Sequence, residues 1–221
     1  ARLFEEKTGA RRVAEGYGLT ESSPVATANP PLGLMKTGSI GLPMPGTVID
    51  IISLEDGKTV LKPGEKGEVC ISGPQVMKGY YNKPEETANV LKTGRLHTGD
   101  VGYIDEDGFV FLVDRIKDLI LVRGYNVYPR HVEEAVYLHD AVQECIVAGV
   151  PDKARGEAVW AWVRPREGRV LTEADLRAFL EDKISAIEMP RKIIIRDQPL
   201  PKTAVGKLSR KDLLEQEGIK R

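Results

Sequence analysis

The sequence predicts a mixed α+β fold, in which a β-rich, barrel-like part is followed by a smaller α+β part. Residues 33–114 contain short runs of β-branched side chains separated by glycine turns, which is typical of small barrels and sandwiches. Residues 115–221 instead combine apolar runs of strand length with segments of helical periodicity. The chain has 221 residues, which is enough for two such parts, each with its own core.

Composition and charge exclude several classes of protein. The 32 basic and 33 acidic side chains nearly cancel, which argues against a general binder of nucleic-acid backbone. No apolar run is long enough for a transmembrane helix, and the first residues lack a signal-peptide core. We therefore expect a cytoplasmic location, with peripheral membrane association left open, and two buried reduced thiols at Cys70 and Cys145. His97, His131 and His139 show no metal-site or catalytic-triad spacing along the chain and are predicted to be structural.

Residues 1–32 read as a helix that ends at Gly9, a short strand and a polar loop. These elements cannot enclose a core, so we expect them to belong to a larger domain. The loop at residues 15–24 carries Tyr17, Thr20 and Glu21. An aromatic ring, a hydroxyl and a carboxylate could stack on a base, bind a phosphate oxygen and hold Mg²⁺. The alternative is an ordinary surface loop.

The β-rich part is predicted to be all-β, with strands at residues 47–53, 68–73, 101–104 and 109–113. His97 to Asp100 reads as a polar turn, and the Asp100 carboxylate could accept two hydrogen bonds from a ribose diol. An ordinary turn is the alternative. Residues 114–118 alternate in charge between two apolar strands and read as a linker, in which Arg115 could simply pair with a neighbouring acid.

The last part is predicted to contain helices around residues 129–139, 172–184 and 211–215, and strands at residues 145–150, 158–163 and 192–195. Pro129 suits the first turn of a helix, and Thr172 with Asp175 forms a capping-box pattern. Lys207 follows Gly206 in a polar loop that is not a P-loop, because its spacing and its following residue do not fit that motif. A lysine there could act as a mobile cation toward a phosphate; a merely exposed lysine is the alternative.

The order of these motifs resembles the adenylate-forming superfamily, which includes acyl-CoA synthetases, amino-acid-activating domains of peptide synthetases and beetle luciferase. The motifs run in family order along nearly the whole chain: Tyr17 to Glu21, Gly67 to Gly73, Gly79 to Thr87, Thr98 to Asp100, Asp114 with Arg115, Gly124 to Pro129, and Lys207. Residues 121–129 look most like the fatty-acyl-CoA ligases.

The resemblance implies an activity, ligands and site residues. Such enzymes join a carboxylic acid, here a fatty acid, to ATP with release of pyrophosphate, and then pass the acyl group from acyl-AMP to CoA; ATP, Mg²⁺ and CoA are the implied ligands. The implied roles are adenine stacking for Tyr17, α-phosphate contact for Thr20, Mg²⁺ binding for Glu21, ribose binding for Asp100 and Arg115, a hinge at Lys117, the pantetheine arm at Gly124, and catalysis by Lys207 through charge stabilisation.

The resemblance also implies a division of the chain. Residues 1–32 would be a remnant of the N-terminal nucleotide-site subdomain, residues 33–114 the β-rich subdomain, and residues 115–221 a mobile lid. No Ser/Thr/Gly-rich phosphate loop occurs in residues 1–221. We therefore expect the C-terminal portion of such an enzyme, inactive by itself, with the N-terminal part of the same enzyme as its partner and a tendency to self-associate.

Two other functions remain open. The first is an amino-acid-activating domain that delivers its product to a carrier protein. The second is a non-catalytic module that binds nucleotide or CoA.

Overall fold

The computed structural model describes residues 2–9 and 14–220. The chain divides into two compact units, Ala1–Ile116 and Lys117–Arg221. The predicted mixed α+β class is confirmed. The three-part division with a mobile lid and a hinge near Lys117 stays a prediction.

The first unit is mostly β-structure. Its elements are α1 (Arg2–Thr8), β1 (Gly16–Gly18), β2 (Val25–Ala28), β3 (Leu42–Pro43), β4 (Val48–Ile52), β5 (Gly67–Ser72), α2 (Pro84–Val90), β6 (Leu91–Lys92), β7 (Arg95–Ile104) and β8 (Val110–Arg115). Strands β1, β2 and β3 form one antiparallel sheet, whereas β4, β5, β7 and β6 form another in that order, with β8 also paired to β7.

The core of the first unit consists of β-branched and aliphatic side chains from the inner faces of these strands. They are Ala26, Ile49, Ile51, Val69, Ile71, Leu96 and Val110. Along β4, Ile49 and Ile51 are buried while Asp50 between them is only partly so, as expected of a sheet with one covered face. The alternation ends at the last residue, Ile52, which is also buried.

The second unit is built on a mixed sheet. Its elements are β9 (Ile120–Val122), β10 (Tyr125–Val127), α3 (Pro129–Tyr137), β11 (Val142–Asp152), β12 (Gly156–Pro165), α4 (Glu173–Leu180), β13 (Lys192–Ile195) and α5 (Arg210–Gln216). The sheet order is β10-β9-β12-β11, and β13 joins β12 in parallel.

Both faces of the second sheet are covered, which explains the unbroken apolar run in β11. Val147 packs into one core with α3 and α4, whereas Ile146 and Ala148 pack into another with Leu213 of α5. A strand that is buried on both faces lacks the alternation of apolar and polar residues that is found in a strand with one exposed face. Helix α4 begins with the predicted capping box between Thr172 and Asp175.

Three local predictions were wrong. Residues 33–114 are not all-β, because they include α2, whose residues are never buried and so show no apolar stripe. Residues 97–100 do not form a turn but lie within β7. Part of the loop at residues 15–24 is β1, and a 3₁₀ turn, Thr20–Ser22, follows it.

Cys70 and Cys145 are both buried and free, as predicted. Within the part of the chain that the structure describes, no helix is both long and apolar enough to cross a membrane.

Candidate active site

Asp100 is the centre of a polar cluster in the first unit. It pairs with Arg115 across β7 and β8, and only 5% of its surface is exposed. The Tyr17 hydroxyl donates to Oδ2 of Asp100 at 2.6 Å, and Arg115 Nε lies 3.0 Å from Oδ1. The structure therefore brings together three of the residues that the sequence singled out, although they are far apart along the chain.

The Asp100 carboxylate keeps acceptor capacity in this cluster. A carboxylate has about four lone-pair sites, and Tyr17 and Arg115 occupy one on each oxygen. Burial and the hydrogen bond to Asp100 raise the pKa of Tyr17, so the phenol remains a protonated donor. The Arg115 side chain is 54% exposed, which leaves this edge of the cluster open to a ligand.

Backbone and side-chain bonds fix the position of Asp100. Thr98 Oγ1 donates to the carbonyl of Val69 at 2.7 Å and accepts the Asp100 amide at 3.1 Å. Glu68 Oε1 accepts the amide of Gly99 at 3.0 Å. Gly99 has φ +72°, and the pairing of β5 with β7 shifts register here. This segment is thus a bulged strand, and the bulge, not a turn, sets the direction of the Asp100 side chain.

Glu21 has a partner that the sequence did not indicate. The Tyr80 hydroxyl donates to Glu21 Oε1 at 2.6 Å, and the Met77 amide donates to the Glu21 carbonyl at 2.8 Å. Thr20 is exposed at the start of the 3₁₀ turn. The turn is held by buried Ser22, whose hydroxyl bonds to the backbone on either side.

Glu21 fits the way in which proteins hold Mg²⁺ beside a phosphate substrate. Mg²⁺ is usually bound by one or two carboxylates, while substrate phosphates and water complete its shell. Glu21 is partly exposed, and its Oε2 is not the atom that Tyr80 occupies. This mode of binding needs only one oxygen from the Glu21 carboxylate.

Lys207 lies in a closed loop of the second unit. Lys202 and Leu208 form an isolated bridge, and the Thr203 amide donates to the Lys207 carbonyl at 2.7 Å. Gly206, with φ +80°, supplies the left-handed residue of this loop. The Lys207 side chain is exposed, and no ion pair joins it to another side chain within residues 2–9 and 14–220. Its ammonium group is thus available to a ligand.

Glu144 anchors the base of this loop. It is buried, accepts the Leu200 amide at 2.9 Å and accepts Lys202 Nζ at 2.6 Å. These bonds hold the pKa of the Glu144 carboxyl below its ordinary value although burial alone would raise it. The loop that carries Lys207 is therefore tied to β11.

Arg210, three residues after Lys207, forms a second anchor. Its guanidinium donates to Asp118 at 3.1 Å, to Glu133 at 2.7 Å and to the Val147 carbonyl at 2.9 Å. We call these four residues the Arg210 hub. It joins the start of α5 to α3, to β11 and to the first residues of the second unit.

Gly124 closes the two-residue turn between β9 and β10. Arg123 and Gly124 have φ values of +52° and +85°, as a type I′ turn requires. A Cβ on Gly124 would meet no atom of this chain within 4 Å, so backbone conformation and not packing favours glycine. Lys117 lies in the 3₁₀ turn Ile116–Asp118, where the two units join along the chain.

Two family models match the chain. One, described as AMP-binding enzyme, matches residues 1–81, and the other, AMP-binding enzyme C-terminal domain, matches residues 131–207.

Similar proteins include the long-chain-fatty-acid–CoA ligase of Bacillus subtilis (strain 168), 52% identical over 97% of this chain and 38% of that protein. The 2-succinylbenzoate–CoA ligase of Geobacillus kaustophilus is 41% identical over 91% of this chain and 40% of its own length. Among solved structures, ATP-bound MatB from Rhodopseudomonas palustris matches with a TM-score of 0.89 and 36% identity over 97% of this chain and 42% of that one.

The chain thus spans about two fifths of the length of the relatives that it matches. The AMP-binding model matches the part of the chain that carries the first motifs, and the C-terminal-domain model matches the part that ends at Lys207. The chain belongs to the AMP-binding, adenylate-forming enzyme family.

Proposed function

We propose that this chain is part of an AMP-forming acyl-CoA synthetase that acts on a long-chain fatty acid. The observation that carries the proposal is the 52% identity, over 97% of the chain, to a long-chain-fatty-acid–CoA ligase. The open Asp100 cluster and the exposed Lys207 supply the chemistry that such a reaction needs.

The reaction has two steps. In the first, an oxygen of the fatty-acid carboxylate forms a bond to the α-phosphorus of ATP, and the bond to pyrophosphate breaks. In the second, the sulfur of CoA attacks the acyl carbon, its proton is released, and AMP leaves. Lys207 acts in the first step, where a cation stabilises negative charge shared between the α-phosphate and the carboxylate.

The nucleotide is held by the first unit. Asp100 accepts hydrogen bonds from the ribose diol, Arg115 donates to it, and the Tyr17 ring stacks on adenine. Thr20 contacts the α-phosphate. These roles use the free acceptor capacity and the open edge of the Asp100 cluster.

Three further residues complete the proposal. Glu21 binds Mg²⁺, which when present neutralises phosphate charge. Lys117 is the hinge at which the backbone changes conformation between the two half-reactions. Gly124 borders the pantetheine arm of CoA.

A chimera tests this proposal. The 221 residues replace the matching 38% of the Bacillus subtilis ligase, and acyl-AMP and acyl-CoA are measured with a long-chain fatty acid, ATP, Mg²⁺ and CoA. We expect the chimera to be active with the fatty acid and the 221-residue chain alone to form no acyl-AMP. A folded chimera that forms neither acyl-AMP nor acyl-CoA from the fatty acid would contradict the proposed function. Acyl-AMP formed by the isolated chain would contradict the predicted need for the remaining part of the enzyme.

Replacing Asp100 by alanine in the chimera should raise the KM for ATP about tenfold to a hundredfold, because hydrogen bonds to a charged group contribute about 1.5–3 kcal/mol. The KM for the fatty acid should change little. Asp107→Ala is the matched control, since this exposed carboxylate lies on the turn of the same hairpin. If only the KM for the acid rises, Asp100 does not bind the ribose.

A further inference from the structure

A carboxylate, a thiol and an imidazole meet on the first unit's larger sheet. Cys70 and His97 are opposite each other in the pairing of β5 with β7, and Glu68 precedes the register shift on β5. His97 Nδ1 lies 2.7 Å from Glu68 Oε2 and 3.4 Å from Cys70 Sγ. The three possible ligand atoms all lie within 4.8 Å of one another. We call these residues the Glu68 cluster.

Most of the cluster is shielded from solvent. Cys70 is fully buried, and the side chain of His97 is 9% exposed. Within the described residues, Nε2 of this imidazole is buried and has no hydrogen-bond partner. Nδ1, the other ring nitrogen, is the one that faces Glu68 and Cys70, so Nδ1 is the candidate ligand atom.

We propose that the Glu68 cluster binds one thiophilic divalent cation, with Zn²⁺ as the best match. Thiolate, imidazole and carboxylate are the ligand types that zinc uses. Their usual bond lengths imply a sulfur-to-nitrogen separation of about 3.5 Å in a tetrahedral site, close to that between Cys70 and His97. The nitrogen-to-oxygen separation should be about 3.4 Å, against 2.7 Å here, so the Glu68 carboxylate has to move away from the imidazole when an ion binds.

Charge also favours a divalent ion. A thiolate, a carboxylate and a neutral imidazole together neutralise a charge of +2, and the thiol proton leaves to solvent. A neutral assembly suits a buried place, because an uncompensated charge there is costly. Arg95 and Asp50, which flank the cluster, already form their own ion pair.

The site is separate from the one proposed for Mg²⁺, and it leaves the nucleotide cluster intact. Glu68 would offer Oε2 to the ion while Oε1 stays on the amide of Gly99. Three protein ligands leave a fourth position for water or another small ligand. This inference does not depend on the proposed activity.

Titration of the metal-free 221-residue chain with Co²⁺ tests the site. We expect a sulfur-to-cobalt charge-transfer band that saturates at one ion per chain and is lost when Zn²⁺ displaces Co²⁺. Cys70→Ala should abolish the band, whereas Cys145→Ala, at the other buried thiol, should keep it. His97→Gln and Glu68→Gln should each weaken Zn²⁺ binding at least tenfold.

Circular dichroism establishes that each variant is folded. If Cys70→Ala unfolds, the proposal is tested instead by the Co²⁺ charge-transfer band of the unchanged protein and by the Zn²⁺ affinities of His97→Gln and Glu68→Gln. The absence of a charge-transfer band in the unchanged protein would overturn the proposal. So would a band that survives in folded Cys70→Ala, or unchanged zinc affinity in both of the other variants.

Discussion

Replacing Lys207 by alanine in the chimera should reduce the rate of acyl-AMP formation by a factor of about 10²–10³, the usual cost of losing one preorganised group that stabilises transition-state charge. The ammonium group is exposed, and the loop that carries it is closed by backbone bonds and anchored through Glu144. Alanine removes the charge, whereas the bonds that close the loop involve the Lys207 backbone. The change should therefore act on chemistry and not on folding.

The half-reactions separate this role from a general loss of function. When acyl-AMP is supplied, transfer to CoA should proceed at nearly the unchanged rate, because the phosphoryl step is already complete. Lys211→Ala is the control, since Lys211 is a highly exposed lysine on the first turn of α5 with only a loose pairing to Glu215. Equal loss of both half-reactions in Lys207→Ala, or a similar loss in Lys211→Ala, would show that the ammonium group has no specific part in adenylation.

Replacing Gly41 by alanine should unfold the first unit. Gly41 has φ +93°, and a Cβ there would lie 1.9 Å from the carbonyl carbon of Ala28 and 2.1 Å from the amide nitrogen of Asn29. Backbone atoms of a paired strand cannot retreat as a flexible side chain could. The expected cost exceeds about 4 kcal/mol, a large part of the stability of a small domain.

Gly64→Ala is the matched control. Gly64 has a similar φ of +85°, but nothing lies within 4 Å of its added Cβ, so the cost should be only the left-handed backbone, about 1–2 kcal/mol. Both tryptophans, Trp160 and Trp162, belong to the second unit. Gly41→Ala should thus lose β-structure by circular dichroism while the thermal transition seen by tryptophan fluorescence persists. Equal stability of the two variants would refute the steric argument.

The parts of the fold that follow from local pattern could be predicted from the sequence. The capping box of Thr172 and the apolar run of β11 are local signals, and both elements occur where they were expected. Helix α2 was missed because it buries no residue and so has no periodic stripe. Its local signals were present, however: Pro84 at the first position and two glutamates in the first turn.

In the candidate site, too, the sequence indicated individual residues but not the contacts that depend on strand pairing. Tyr17, Asp100 and Arg115 were each indicated by their chemistry, but their mutual contacts depend on how strands pair. Glu68 and Tyr80 were not recognised, because each acts on a residue about 30 to 60 positions away. A bulge in β7 decides which way Asp100 faces, and no residue pattern identified that bulge in advance.

The Arg210 hub has a mechanical consequence. Since one guanidinium bonds to Asp118, to Glu133 and to the Val147 carbonyl, the lysine loop and the entry of the second unit form one stiff piece. A rotation at one end of such a piece is passed to its other end with little internal deformation. If Lys117 serves as the pivot, a small angular change there becomes a displacement of the Lys207 ammonium in proportion to its distance from the axis. With such a pivot, Arg210 would make the Lys207 loop move together with the start of the second unit.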